Sequence, residues 1–244
     1  MNIVITMAGA GSRFKNAGYS QPKYQIIAKG KSLFEWSMES LEGFNKQDTK
    51  YTFIVQKQDD AKEFIISKMK KYNVKVTVIE IDKQTDGQAT TAMLASKHWN
   101  KEEELIIYNI DTYIEKNEMN YKQIKGDGFI PCFKGEGNHW SFVKLNEKGQ
   151  AIEVREKNRI SEECTVGLYY FKTCKLYENL YNEYYTEDNN ITEKNSTYEK
   201  KEKYIAPLYN YLIQKNGEVY ISNIPVSKVH VLGTPEELQE FINQ

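Results

Sequence analysis

The segment Met7-Ala8-Gly9-Ala10-Gly11-Ser12-Arg13-Phe14 follows directly on the apolar run Ile3-Val4-Ile5, and Pro22-Lys23 comes soon after it. No other stretch restricts the fold as much. Three consecutive β-branched apolar residues read as a buried strand, and the glycine pair beyond them reads as a tight strand-to-helix turn whose bare backbone can approach a ligand. Successive amides in such a turn can converge on one anion, and Arg13 and Lys23 add fixed positive charge, which suits a nucleoside triphosphate. The spacing excludes two familiar phosphate fingerprints. A dinucleotide-binding turn needs a third glycine where Phe14 stands and an acid ending the second strand, but Tyr51-Thr52-Phe53-Ile54-Val55 runs into Gln56-Lys57. A P-loop closes with Gly-Lys-Ser/Thr, which Gly11-Ser12-Arg13 does not supply.

The chain has 244 residues, enough for one large α/β domain with an ample core. Its 33 basic and 34 acidic side chains nearly cancel. No global field therefore invites nucleic acid, and an anion has to be held by local charge. Cys132, Cys164 and Cys174 form no CxxC pair, which points to buried, reduced thiols and a cytoplasmic setting. No signal peptide and no membrane insertion are expected, since no apolar stretch is long enough to cross a bilayer. The residues leave the oligomeric state open, a homodimer included.

Along the chain, Ser32 and Glu35 form a capping-box pattern ahead of Leu33, Trp36, Ser37, Ser40, Leu41 and Phe44 at helical spacing. A strand over 51–55, a helix over about 59–72 and a strand over 74–79 follow. Thr85-Asp86-Gly87-Gln88-Ala89 opens another helix, carrying Met93, Leu94 and Trp99, and Leu105 to Ile110 reads as a buried strand ending at Asp111. Right-handed crossovers make this a mainly parallel sheet. Beyond Tyr121 the texture turns to strands over 129–133, 140–145, 152–155 and 166–171, with a turn at Asn146-Glu147-Lys148-Gly149. A helix over about 175–185 leads into Thr186 to Lys203, a polar segment read either as a mobile loop or lid near a second pocket or as a solvated excursion without function. A helix over 204–215, a strand over 219–222 and a final helix capped by Thr234-Pro235 complete the chain.

Ligands of open parallel sheets bind beyond the carboxyl ends of the strands, where the glycine turn, Thr85 to Ala89 and Asp111 all fall. A carboxylate facing a triphosphate holds Mg²⁺, a hard ion that prefers oxygen ligands and keeps water. Such a set suits nucleotidyl transfer, in which an oxygen of a phosphorylated acceptor attacks the α-phosphorus and pyrophosphate leaves. That chemistry needs positioning and charge compensation rather than a Ser, Cys or His nucleophile. His98, His139 and His230 fit no triad or zinc spacing.

With these motifs in order, the chain resembles the sugar-phosphate nucleotidyltransferase family, the sugar-nucleotide pyrophosphorylases, over nearly its whole length. The likeness rests on 7–14 with Pro22-Lys23, Thr85 to Ala89, Asn109-Ile110-Asp111, Val154-Arg155-Glu156-Lys157, Gly167 to Phe171 and Leu232-Gly233-Thr234-Pro235-Glu236. It implies an α/β fold with a Rossmann-like, mainly parallel sheet flanked by helices, GT-A-like in its nucleotide half (1–120), and a β-rich acceptor half (121–244) within one domain. It also implies Ala8, Gly9, Gly11 and Ser12 around the triphosphate, and Arg13 and Lys23 as the catalytic cations. Gln84, Gly87 and Gln88 would frame the base, Asp111 would bind Mg²⁺ (or Mn²⁺), and Glu156, Lys157 and Gly167 would face the acceptor. The short chain is similar to cytidylyltransferases acting on sugar phosphates, phosphocholine or phosphoglutamine, which favours CTP and a role in capsule or surface polysaccharide synthesis.

One departure stands out. Many members carry an Asp two residues before the Gly of Gly-Thr-Pro-Glu, and here that residue is Val231, leaving the second metal carboxylate unassigned. His230 would point to the other side of the strand and is a poor Mg²⁺ ligand. Two rival classes stay open at this point: a GT-A glycosyltransferase, although Asp111-Thr112-Tyr113 lacks the second acid of its Asp-x-Asp, and a catalytically silent nucleotide-binding regulator.

Overall fold

The computed structural model describes residues 1–185 and 202–244. At its centre is β1 (Asn2–Thr6), hydrogen-bonded in parallel to β4 (Lys50–Gln56) on one side and to β6 (Leu105–Asn109) on the other. β5 (Lys75–Ile81) extends the parallel run beyond β4. Ile3 and Ile5 enter one apolar cluster with Phe53 and Tyr108, while Val4 enters a second with Ile54 and Ile107. Both faces of β1, β4 and β6 are buried, which is why they read as continuous apolar runs rather than alternating ones, whereas β5 at the edge is only half-buried.

The helices of this half are α1 (Ser12–Asn16), α2 (Leu33–Glu39), α3 (Lys62–Met69) and α4 (Gln88–Met93). A small hairpin, β2 (Ile27–Ala28) with β3 (Lys31–Ser32), leads into α2. The Ser32–Glu35 capping box forms as the sequence predicts. Three helices are shorter than their periodicity suggests. The one predicted from Asp59 starts at Lys62, because Asp60 takes a left-handed conformation with φ of 44°. The one predicted from Thr85 starts at Gln88, because Gly87 is at φ 150°. The pattern from Leu33 to Phe44 breaks after Glu39 into a single 3-10 turn, where Gly43 packs against the Met119 carbonyl so closely that a Cβ would lie 2.3 Å from it.

On the other side of β6 the sheet turns antiparallel. β7 (Thr112–Ile114) leaves it, and β8 (Gly128–Lys134), β9 (Ser141–Leu145), β10 (Ala151–Glu156), β11 (Glu163–Thr165) and β12 (Leu168–Phe171) complete the order β10-β9-β11-β8-β12-β6-β1-β4-β5. β13 (Val219–Ile224) pairs in parallel with β8. The predicted strand over 166–171 begins only at Leu168, since Gly167 at φ 82° separates β12 from β11. The fold is thus α/β, with a mixed sheet whose first half is parallel and whose second half is β-rich.

Two helices, α5 (Cys174–Tyr184) and α6 (Ala206–Gln214), cover the second face. The predicted segment 186–203 lies outside the described residues except for Glu202 and Lys203. At the C-terminus β14 (Val229–Val231) pairs with β7, and α7 (Pro235–Asn243) packs Leu238 and Phe241 against Phe14, Leu33 and Tyr113. This last contact carries the Gly233 turn to the end of β6. Among the described residues no helix is long and apolar enough to cross a membrane. The three cysteines are free and buried, and burial pushes the Cys174 thiol up to about 12.

Candidate functional site

A cavity of about 730 Å³ opens beyond the carboxyl ends of β1 and β6. One wall is the turn after β1. Met7 N–H donates to the Ile54 carbonyl, and Gln56 Nε2 donates to the Ala8 carbonyl, so β4 pins the turn from behind. Gly11 then adopts φ 63° as it enters α1, a left-handed conformation that a side chain would strain. No atom lies within 4 Å of where a Cβ would stand on Gly9 or Gly11, so the backbone faces open space. The walls include Ala8, Gly9, Gly11, Arg13 and Lys23 from this region.

Beside the turn, residues 84–91 form a second strip of wall. Gln88 Nε2 donates to Thr6 Oγ1 at 3.1 Å and to Asn109 Oδ1, so the side-chain amide is fixed to the ends of β1 and β6. Thr85 and Thr91 hydroxyls both donate to the Gly87 carbonyl, at 2.9 and 3.0 Å. Gln84, Gly87 and Gln88 all line the cavity.

Asp111 stands just past β6. Its Oδ2 accepts from Lys23 Nζ at 2.9 Å, and the side chain remains 34% exposed, enough to be reached from the cavity. Burial pushes this carboxyl up, but Lys23 outweighs it, with a smaller share from Arg13, and the group sits below its ordinary value. Gly233 approaches from the C-terminal turn. A Cβ there would lie 3.3 Å from Glu237 Oε2 and 3.6 Å from Asp111 Oδ2, so two carboxylates flank one glycine. Glu237 Oε2 accepts from Gly233 N–H at 3.0 Å. Both acids present hard oxygen donors, the type Mg²⁺ takes. Among the described residues no group of three or more His, Cys, Asp or Glu could hold a metal, so such an ion would need ligand oxygens and water to complete its shell.

The opposite wall comes from β9, β10 and β12. Glu156 accepts from the Ser141 hydroxyl, which also meets the buried Tyr169 hydroxyl at 3.3 Å, and Tyr169 meets Thr165 Oγ1 at 3.3 Å. Burial pushes the Glu156 carboxyl above its ordinary value, with Ser141 and Lys157 pulling the other way. Burial also takes the Tyr169 phenol up to about 12. Gly167 belongs to this wall for a steric reason, since a Cβ there would come within 2.7 Å of Asn109 Nδ2.

Eleven of the thirteen residues that the sequence singles out line this one cavity: Ala8, Gly9, Gly11, Arg13, Lys23, Gln84, Gly87, Gln88, Asp111, Glu156 and Gly167. Ser12 and Lys157 do not. Ser12 is exposed at the start of α1, and Lys157, at φ 53°, donates to the hydroxyl of the cavity-lining Tyr204 at 2.7 Å. Sequence reasoning missed Glu237, Ser141, Tyr169, Glu202 and Tyr204. Tyr169 lay within the Gly167 to Phe171 stretch of the resemblance and Glu202 within the polar segment 186–203, though neither was singled out, and Glu237 had a signal as the N3 acid of the Thr234-x-x-Glu237 cap, in which Glu237 N–H donates to Thr234 Oγ1. His230 points away as expected, stacked on Tyr113 at 5.3 Å in a separate 340 Å³ hollow, whereas its neighbour Val231 lines the main cavity.

No protein-family model matches the chain, and no curated protein matches it in sequence. Solved structures do. The chain is similar to the nucleoside-diphosphate-sugar pyrophosphorylase from Vibrio cholerae RC9, with 34% identity and a TM-score of 0.87 over 99% of this chain and 100% of that one. The inositol-1-phosphate CTP transferase from T. maritima shares the fold at 15% identity and a TM-score of 0.74, over 100% of this chain and 96% of that one. So does the CTP:phosphocholine cytidylyltransferase from Streptococcus pneumoniae, at 14% identity and 0.74, over 99% and 97%.

Proposed function

The chain belongs to the sugar-phosphate nucleotidyltransferase family, and from that premise we propose that it joins a nucleoside triphosphate, CTP by preference, to a small phosphorylated acceptor of the sugar phosphate, phosphocholine or phosphoglutamine type, with release of pyrophosphate. The observation that carries this reading is the shared cavity: a glycine turn with two cations faces a wall of hydroxyls and a carboxylate, and Asp111 stands where the two meet. The product would feed capsule or surface polysaccharide synthesis in the cytoplasm, and the whole chain would work as one unit across the seam of the sheet.

In this scheme the turn over 8–11 offers main-chain N–H groups to the triphosphate, and Arg13 and Lys23 offset its charge. Gln84, Gly87 and Gln88 frame the base. The acceptor lies against Ser141, Glu156 and Tyr169, so that an oxygen of its phosphate can attack the α-phosphorus in line. A new P–O bond forms there as the bond from the α-phosphorus to the bridging oxygen of pyrophosphate breaks. The attacking oxygen is already anionic, so no general base is required. Asp111, with Glu237 beside it, would hold Mg²⁺, which would supply positive charge to offset the two polyanions. The residues do the rest by bringing the reacting atoms together, the effect that dominates such transfers.

The test is pyrophosphate release measured for CTP, UTP, dTTP, ATP and GTP, each combined with sugar 1-phosphates, phosphocholine and phosphoglutamine, with Mg²⁺ or Mn²⁺. Release that requires both an NTP and a phosphorylated acceptor, greatest with CTP, is expected. An enzyme that consumes only a preformed nucleotide sugar would instead be a glycosyltransferase.

A further inference from the structure

Residues 202–204 cross from the nucleotide strip to the opposite wall, and each of the three makes a different contact. Lys203 N–H donates to the Asp86 carbonyl at 2.8 Å, and the Lys203 carbonyl accepts from Ala89 N–H at 3.0 Å. Ala89 lies in the first turn of α4, where N–H groups lack intrahelical partners, so this carbonyl serves as an external cap. Between those two bonds the backbones touch. A Cβ on Gly87 would come within 2.4 Å of both Lys203 N and O, and only glycine fits there.

The side chains alternate. Lys203 Nζ reaches back to Asp86 Oδ2 at 2.9 Å, and Asp86 also accepts from Thr90 Oγ1. Glu202 and Tyr204 point the other way, into the cavity. The Tyr204 hydroxyl accepts from Lys157 Nζ at 2.7 Å and donates to Glu202 Oε2 at 2.5 Å. Tyr185 donates to the Tyr204 carbonyl, and Ile205, fully buried, anchors the far end. A short extended segment is therefore bonded at once to the strip that would frame the base and to the lysine beside Glu156.

We propose that this segment is a brace for both substrates, in which Lys203 positions the nucleotide strip through Asp86 and Tyr204 positions Lys157 on the acceptor side. The inference rests on the nucleotidyltransferase reading above and extends it, because neither residue belongs to a motif that suggested the function. Lys203 and Tyr204 act through other groups, so they are positioning residues. The two roles are separable: losing the Lys203 ammonium affects nucleotide affinity, and losing the Tyr204 hydroxyl affects the acceptor.

The experiment uses the full chain. CTP, UTP, dTTP, ATP and GTP are titrated calorimetrically into wild type, and the nucleotide that binds is carried to Lys203→Met, Asp86→Asn and the double variant. The main-chain bonds survive all three. Each single variant is expected to weaken binding about three- to fivefold, the range of a partly exposed ion pair, and the double variant no further than either single. Lys203→Arg restores affinity. Tyr204→Phe leaves nucleotide affinity within twofold and raises the acceptor KM about fivefold, with little change in kcat. If wild type binds a nucleotide and the two single effects add, or both are absent, the brace is wrong while the function stands. Equal effects of Tyr204→Phe on nucleotide and acceptor would also overturn it. If wild type binds no nucleotide, the functional reading fails and takes the brace with it.

Discussion

The wall that begins at β1 presents main chain and cations, whereas the wall built by β9, β10 and β12 presents hydroxyls, a phenol and a carboxylate raised by burial. The first is shaped by what is missing, since Gly9, Gly11 and Gly87 leave backbone bare or pressed against other backbone. The second is shaped by single side-chain atoms held in a chain from Glu156 through Ser141 and Tyr169 to Thr165. Substitutions should accordingly act differently on the two. A change in the first alters a surface that several atoms of one ligand share, and a change in the second removes one contact.

Asp111 stands between the walls and should give the largest effect. Asp111→Asn keeps the shape and loses the charge, and kcat is expected to fall about a thousandfold, as when a charge-compensating group is removed from a transition state. Unchanged turnover would remove Asp111 from the site. Gly87→Ala comes next. It forces a Cβ into the Lys203 backbone at a φ of 150°, so a loss of about 3 kcal/mol in urea unfolding is expected, with nucleotide affinity impaired more than acceptor KM. An equal rise in both KM values would blur the distinction between the walls.

A control lies outside both walls. Burial pushes the Glu35 carboxyl up, but Lys68 and the Ser32 bonds outweigh it and draw it down to about 2 from an ordinary 4.5. Because the folded value is the lower one, the stabilisation is complete above about pH 4.5 and is lost as pH falls toward 2. Wild type should exceed Glu35→Gln by about 2 kcal/mol at pH 7, and by nearly nothing at pH 2, with both KM values unaltered. A smaller change is expected from Glu156→Gln, which raises the acceptor KM about tenfold and leaves nucleotide affinity alone, as the loss of one charge-assisted contact does. A matching fall in nucleotide affinity would show that the acceptor wall also holds the nucleotide.

Much of the first wall was legible because its signals are local. An apolar run, a glycine pair and a cation two residues later can be read within a dozen residues, and the Ser32–Glu35 cap is a four-residue pattern that forms as written. Helix lengths were less legible. Periodicity cannot register that Asp60 and Gly87 take positive φ, and these two residues set where α3 and α4 begin. Of the second wall the resemblance pointed to Glu156 and Gly167, and the hydroxyls beside them were not legible. Ser141 and Tyr169 look like ordinary strand residues, and they become a site only when β9, β10 and β12 bring their hydroxyls onto Glu156.

The sequence by itself determined a strand, a bare turn and two cations close behind it, because glycine spacing and strand periodicity act over a few covalent bonds. Tertiary structure alone decided what completes that arrangement. Packing of Leu238 and Phe241 against Phe14 and Leu33 carries Gly233 and Glu237 to Asp111, across more than a hundred residues of chain. The pairing of residues 202–204 with 86–89 likewise joins segments whose nearness no local pattern encodes. Contacts of this kind arise from burying apolar surface at a distance, and the identities of the polar residues they bring together carry no mark of it.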